Sequence, residues 1–211
     1  MEMVSETTAQ RILRNAEHLM ASNGIASTSV RQITDASEAN VASVNYYFGS
    51  KSELLLELLK DRFSQLDAEL LARVNAVEKN AAGARPKVRD LTAAYFDALA
   101  HLGFNSETGQ LDPFILLIQR AAAEQEEVLE KAQDFSAPGL SKLMSLLAES
   151  IPENQGQDIE IKTLLRLMFT TSVAAMPTMN AERKNDMQFS AVRDFLFAGV
   201  EAYLMRIAGK T

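Results

Sequence analysis

Asn40, Val41, Ser43 and Asn45 fall within six consecutive residues, and they combine low bulk with hydrogen-bonding capacity. Side chains of this kind on a short helix suit a major groove about 12 Å wide, whose base edges offer donors, acceptors and the thymine methyl. Val41 is the side chain able to touch that methyl. Tyr46, Tyr47 and Phe48 follow immediately; Phe48 is expected in a core, Tyr46 partly so, and Tyr47 with its hydroxyl turned out towards a phosphate oxygen. Ser50-Lys51-Ser52-Glu53 reads as a capping box that opens the next helix. A helix start of this kind leaves backbone N–H groups for a second phosphate, and Lys51 adds charge there.

Catalytic chemistry finds little to work with. The chain has no cysteine, which removes disulfides, thiolate metal sites and thiol nucleophiles. It has no glycine-rich phosphate loop and no Gly-x-Ser-x-Gly turn. The two histidines, His18 and His101, fall in different helices, and no Glu-x-x-His pair exists, so carboxylates would have to supply nearly every metal ligand. No metal, no other cofactor and no enzymatic activity is expected. Glu124, Glu126, Glu127 and Glu130 read as a solvated helix face, and His18 as a surface or boundary residue.

Composition fits a folded chain of 211 residues, with 47% hydrophobic and 23% charged side chains. The start is acidic and polar, without the basic and apolar regions of a signal peptide. The purest apolar run, Phe114–Ile118, is far short of the ~20 residues that span a bilayer. A cytoplasmic protein without a membrane partner is expected. The net charge of −7 argues at first against nucleic acid. By region, residues 1–55 hold four basic and six acidic side chains, and residues 56–211 hold 17 and 22. Lys51 nevertheless sits where a phosphate contact is expected, and hydroxyls, amides and helix starts make such contacts without formal charge. The charge therefore predicts weak nonspecific binding and dependence on a well-fitted site.

Helical periodicity and punctuation run through the whole chain. Ile12, Leu13, Ala16, Leu19 and Met20 mark a first helix that Asn23-Gly24 stops. A second runs from about Thr28, a plausible N-cap, to Ala36, and a third from about Asn40 to Tyr46. The capping box opens a long helix to about Asn80, and Ala81–Pro86 is the best linker. Further helices follow from Pro86 to Gly103, from Asp112-Pro113 onward, and from Glu124 to Ser150 with a break at Ser136–Gly139. The last two run from about Asp158 to Met176 and from about Asp186 to Ile207. No segment alternates with period two. The reading is all-α with about nine helices: a compact N-terminal triplet and a larger helical body. Two short helices joined by the tight Ser37-Glu38-Ala39 connection, after a supporting helix, are what a helix-turn-helix reader requires.

Thr28-Ser29-Val30-Arg31-Gln32-Ile33, then Asn45-Tyr46-Tyr47-Phe48-Gly49-Ser50-Lys51-Ser52-Glu53-Leu54-Leu55, resembles the DNA-binding signature of TetR-family transcriptional regulators. The likeness covers about Gln10 to Leu59, and Val44-Asn45-Tyr46 resembles a subgroup with Asn where many members have Tyr. It implies an N-terminal helix-turn-helix DNA-binding domain over residues 1–50. A ligand-binding and dimerisation domain over residues 51–211 would follow, with 51–80 as the linking helix. It further implies that Arg31 matches a base-contact position, that Val41, Ala42 and Ser43 match the base-facing part of the recognition helix, and that Thr28, Ser29, Tyr47 and Lys51 match phosphate contacts. Asn40 and Asn45 complete the expected DNA-binding set. One departure is Glu38, where the connecting turn usually carries Gly. A non-Gly residue at positive φ costs about 1 kcal/mol or more, so a slightly reshaped turn is expected.

The last helix is apolar on most sides and must be covered on most sides. Ile161, Leu165, Met168, Phe189, Val192, Leu196, Val200 and Tyr203 are therefore expected at a four-helix homodimer interface, which would set two readers about 34–36 Å apart. Nine methionines and ten phenylalanines leave room for an apolar pocket. Its candidates are His101, Phe104, Phe114, Met144, Met168, Phe169 and Met176. The resulting expectation is a repressor released from a palindromic operator on double-stranded DNA when a small apolar or amphipathic effector binds. The alternative is a helical hydrophobe- or lipid-binding protein whose N-terminal triplet no longer binds DNA; a helical enzyme is a weaker third.

Overall fold

The computed structural model describes residues 6–105, 108–133, 137–149, 157–178, 191, 193–195, 197–200, 202 and 203. Nine α-helices and one 3-10 turn are formed among them: α1 Thr8–Asn23, α2 Val30–Ala36, α3 Val41–Phe48, α4 Lys51–Asn80, α5 Val88–Gly103, α6 Pro113–Glu124, α7 Glu126–Gln133, α8 Pro138–Glu149, α9 Gln157–Ala175 and the turn Met176–Thr178. The described residues between 191 and 203 are helical as well. The sole extended pairing among the described residues is an isolated bridge between Phe104 and Leu111. None of the described helices is long and apolar enough to cross a membrane.

Helix ends follow the local chemistry. The Thr7 hydroxyl accepts from the Gln10 N–H, and the Gln10 side chain bonds back to the Thr7 N–H, which starts α1. Gly24 stops α1 at φ 97°, in backbone that a side chain rarely adopts. For α2 the cap is Ser29, paired with Gln32 in the same reciprocal box, and not Thr28. Thr28 is buried, and its hydroxyl donates to the Leu19 and Gly24 carbonyls at 3.1 and 2.8 Å. The expected N-cap is therefore shifted by one residue, because the Thr28 hydroxyl is engaged by the turn that precedes it. α3 extends to Phe48, two residues beyond the period, and Gly49 ends it at φ 81°. α4 runs from Lys51 to Asn80, as expected from the Ser50 cap.

The chain divides into two compact units. The first holds residues 1–63 and 113–135, the second residues 64–112 and 136–211. In the first, α1, α2 and α3 pack on one another, and α6 packs along α1. Its core is Ile12, Ala16 and Met20 of α1, Ile33 of α2, Val44 of α3, Leu54, Leu55, Leu58 and Leu59 of α4, and Phe114, Leu117 and Ile118 of α6. Two layers of polar bonds pin this unit. Arg62 pairs with Glu17 at 3.1 Å, both largely buried, and its guanidinium lies 4.8 Å from the centre of the Phe114 ring. Arg120 of α6 donates to the Ala21 and Ser22 carbonyls at 2.6 and 2.9 Å, which satisfies the open C-terminal end of α1. Glu124, one turn further on, accepts from the Ala26 N–H at 2.9 Å.

The second unit is held mainly by apolar area. Leu70 and Val74 of α4, Leu91, Phe96 and Leu99 of α5, Leu143 and Leu147 of α8, and Ile161, Leu165 and Met168 of α9 are buried. Its two notable polar contacts are internal. The Asp67 carboxylate accepts from the Gly139 and Leu140 N–H groups, both at 2.9 Å, and so caps α8 from α4. The Tyr95 hydroxyl donates to the Leu165 carbonyl at 3.3 Å; burial pushes that phenol above the usual tyrosine range.

Candidate nucleic-acid interface

The short helices α2 and α3 are joined by four residues, 37–40, whose geometry is fixed from outside them. Glu38 takes φ 51°, the left-handed conformation that glycine adopts freely. The turn closes around it: Ser37 N–H donates to the Ile33 and Thr34 carbonyls, and Ala39 N–H to Thr34. From α1, Arg11 donates to the Ser37 carbonyl at 3.3 Å, and the Asn15 amide reaches the Ala36 carbonyl at 3.2 Å. The buried Ser37 hydroxyl donates to Ile33 at 2.7 Å. Arg11 and Asn15 thus bond the C-terminal carbonyls of α2 and set the direction in which the chain enters α3. Neither was singled out in the sequence. Their signal was faint: polar residues at positions 11 and 15 of an otherwise amphipathic α1 stripe, one helical turn apart.

α3 buries one side chain fully, Val44, and presents most of the rest. Val41, Ala42 and Asn45 are exposed and Ser43 is half-buried. Asn40 caps the helix, its side-chain oxygen accepting from the Ser43 N–H at 3.0 Å and from the Ser43 hydroxyl at 3.3 Å. These two polar groups meet each other before they meet any ligand, so their role begins as positioning of the first turn. Tyr47 is about half exposed, as expected, and Phe48 is half-buried. Tyr46 differs from its expected part-burial: it is 84% exposed, with its ring edge-on to Tyr47 at 5.0 Å between centroids. Eight residues of helix with Val44 inward leave position 46 on the outer side, and period alone did not resolve this in so short a segment.

The residues flanking α3 divide. Ser29 and Arg31 are exposed on α2, and Arg31 lies 3.9 Å from Asp35. Lys51 is half-buried and reaches the Ala26 carbonyl at 3.5 Å. Thr28 does not join them. Its buried side chain faces the α1–α2 turn, and it is withdrawn from the set of expected phosphate contacts.

Residues 12–58 match the family model described as "Bacterial regulatory proteins, tetR family". The match runs from within α1 into the start of α4 and so takes in the whole helix-turn-helix, less than a quarter of the chain. Solved structures carry the likeness over the whole length. A protein of Mesorhizobium loti assigned to the TetR family of transcriptional regulators superposes with a TM-score of 0.63 at 15% identity, covering 96% of this chain and 98% of that one. A TetR transcriptional regulator from Legionella pneumophila gives 0.57 at 20%, over 92% and 97%. Reduced Escherichia coli NemR gives 0.59 at 15%, over 93% and 97%. At such identities these structures establish the fold. No curated protein sequence matches the chain. The TetR-family fold with its helix-turn-helix domain supports a DNA-binding transcriptional regulator.

Beyond the reader, the expected pocket and interface residues scatter. Phe114 lies in the core of the first unit, against the Phe63 ring at 5.7 Å. Met168 and Met176 are buried, Phe104, Met144 and Phe169 half-buried, and His101 exposed. The second unit has an open cleft of about 660 Å³ between the end of α4, the 81–87 connection and the start of α5. Arg73, Val77, Arg85, Lys87, Asp90 and Asp97 are among its lining residues, and none of the seven expected pocket residues is. Of the expected interface, Ile161, Leu165, Met168 and Val200 are buried within the chain itself, and Tyr203 is half-buried. Phe189, Val192 and Leu196 lie outside the described residues. Among the described residues, the large apolar side chains that α9 and the helical residues from 191 on leave to solvent are Leu167, 56% exposed, and Phe195, 71% exposed. Helix period can mark an apolar stripe, but it cannot say which stripe a single chain covers by itself.

Proposed function

We propose that this chain is a ligand-responsive repressor of the TetR type that binds a palindromic operator as a cytoplasmic homodimer. The observation that carries the reading is the exposed face of α3, where Val41, Ala42, Asn45 and Tyr47 face solvent on a helix whose inward residue and end caps are all satisfied. In this reading Arg31, Val41, Ala42 and Ser43 read base edges. Ser29, Tyr47 and Lys51 take phosphates, while Asn40 and Asn45 complete the surface. Residues 1–50 supply the reader, and residues 51–211 supply effector binding and self-association, linked through 51–80. Leu167 and Phe195 mark the apolar surface that a second copy covers. An effector acts by its differential affinity for two arrangements of α4, which changes the spacing of the paired readers.

The test is an anisotropy titration against DNA from upstream of the protein's own gene, at two salt concentrations. A specific site with steep salt dependence is expected. Tyr47→Phe should weaken binding to all sequences alike, whereas Ser43→Ala should change sequence preference. Binding that never exceeds the level of scrambled DNA would sink the reading. It would leave the alternative, a hydrophobe-binding protein with a degenerate reader. Glu38 in place of glycine would favour that alternative by disturbing the turn, yet Glu38 adopts the left-handed conformation all the same.

A further inference from the structure

The reader's own charge is unusual for a surface that meets a polyanion. Between residues 28 and 50 there is one basic side chain, Arg31, and there are two acidic ones, Asp35 and Glu38. Arg31 and Asp35 stand one turn apart on α2, with side chains 85% and 71% exposed. Their charges meet at Arg31 Nε and Asp35 Oδ2, 3.9 Å apart. This is a charge contact on a solvated helix face and adds little to the helix itself. Its consequence is electrostatic: at 3.9 Å the charges offset each other without a hydrogen bond, and the guanidinium donors are not engaged by the carboxylate and can meet the N7 and O6 of a guanine.

We propose that Asp35 is a specificity-determining residue that turns Arg31 from a phosphate-binding cation into a net-neutral reader of guanine. The inference rests on the DNA-binding reading and on Arg31 facing the bases. A lone guanidinium is drawn to any phosphate, and that attraction is the same on every sequence. With Asp35 beside it the pair carries no net charge, so an approaching phosphate meets attraction and repulsion together. A guanine edge is neutral and presents two acceptors in one plane; it loses nothing to the carboxylate and keeps both hydrogen bonds. Asp35 therefore lowers binding to arbitrary DNA more than binding to a site with guanine at the right position. Glu38, exposed at the start of the turn into α3, adds repulsion of phosphates on all sequences.

The experiment compares wild type, Asp35→Asn, Asp35→Glu and Arg31→Ala on three duplexes. One is a site selected by the wild-type protein from a randomised pool, the second is that site with 7-deazaguanine at each guanine in turn, and the third is scrambled. Asp35→Asn should raise affinity for scrambled DNA about 3- to 10-fold and steepen its salt slope by about one. Affinity for the selected site should change less, so the specificity ratio falls; Asp35→Glu should restore it. One 7-deazaguanine position should cost the wild type about 10-fold and leave Arg31→Ala unaffected. Thermal melts within about a degree of wild type, expected for exposed side chains, exclude unfolding as the cause. An unchanged specificity ratio and salt slope in Asp35→Asn would falsify the inference, as would equal sensitivity of wild type and Arg31→Ala to every 7-deazaguanine. A wild type that selects no site from the pool would instead overturn the DNA-binding reading itself.

Discussion

The unit that carries the reader and the unit that follows it solve helix packing by different means. In residues 1–63 with 113–135, α2 and α3 are only seven and eight residues long. Helices so short are marginal alone and bury little apolar area. Polar side chains at their ends supply what area cannot: the Ser29–Gln32 box, Asn40, Arg11 and Asn15 on the end of α2, and Arg120 and Glu124 on the end of α1 and its turn. Directional bonds fix angles, and a reader needs its angle fixed. In residues 64–112 with 136–211, α5, α8 and α9 present broad apolar faces. Apolar contact specifies area more than direction, so such a core keeps its stability while shape varies.

Substitutions can break or sharpen this contrast. The largest effect is expected where the second unit departs from its own rule. Gly139 approaches α4 so closely that a Cβ there would fall on the Asp67 carbonyl oxygen and within 2.8 Å of the Leu71 nitrogen. Gly139→Ala should destabilise by about 1–3 kcal/mol, because backbone cannot give way as a flexible side chain does. Hydrogen exchange should show lost protection in α8 and the second half of α4, with α1–α3 unchanged; uniform loss across both units would erase the contrast.

Alkaline stability tests the second unit's core next. Tyr95 is held protonated by burial, with its pKa raised. A group whose folded value is raised contributes stability in full below its unfolded value, about 10 for tyrosine, and loses it as pH climbs past that. One unit above it the wild type should give up about 1.4 kcal/mol through this group. Tyr95→Phe, followed by urea titrations at neutral and high pH, should lack that portion of the loss.

In the first unit, Arg120→Ala removes two hydrogen bonds from the end of α1 and should cost about 1 kcal/mol, since water replaces part of them. The loss of exchange protection should be confined to α1, its turn and α6. The smallest effect belongs to Glu38→Gly. Relief of the strained φ is partly offset by greater freedom in the unfolded chain, leaving a gain of a few tenths of a kcal/mol. A lower melting temperature in this variant would show that the Glu38 side chain stabilises the turn by contacts beyond its backbone.

Much of the architecture could be read before any tertiary contact was known. The long α4, its Ser50 start, the Gly24 stop, the Asp112-Pro113 start of α6 and the break before α8 all come from residues that act within one turn of themselves. The exposure of Val41, Ala42, Asn45 and Tyr47 was legible for the same reason, given Val44 inward. Thr28 was misplaced because Thr and Ser stand side by side and both cap helices. Which of them did so depended on the Leu19 and Gly24 carbonyls, nine and four residues away. Tyr46 was misplaced because two turns of helix give too few repeats to fix a face.

The sequence by itself determined the helices, their punctuation and the reader's small polar surface, since caps, turns and periods are short-range effects with short-range signatures. Tertiary structure alone decided that α6 belongs with the reader's unit, through bonds from Arg120 and Glu124 to residues 98 and 99 positions away. It also decided which apolar stripes the chain covers itself, leaving Leu167 and Phe195 in solvent. Such facts depend on which segments meet, and a helix with two apolar faces does not record in its own residues which face finds a neighbour.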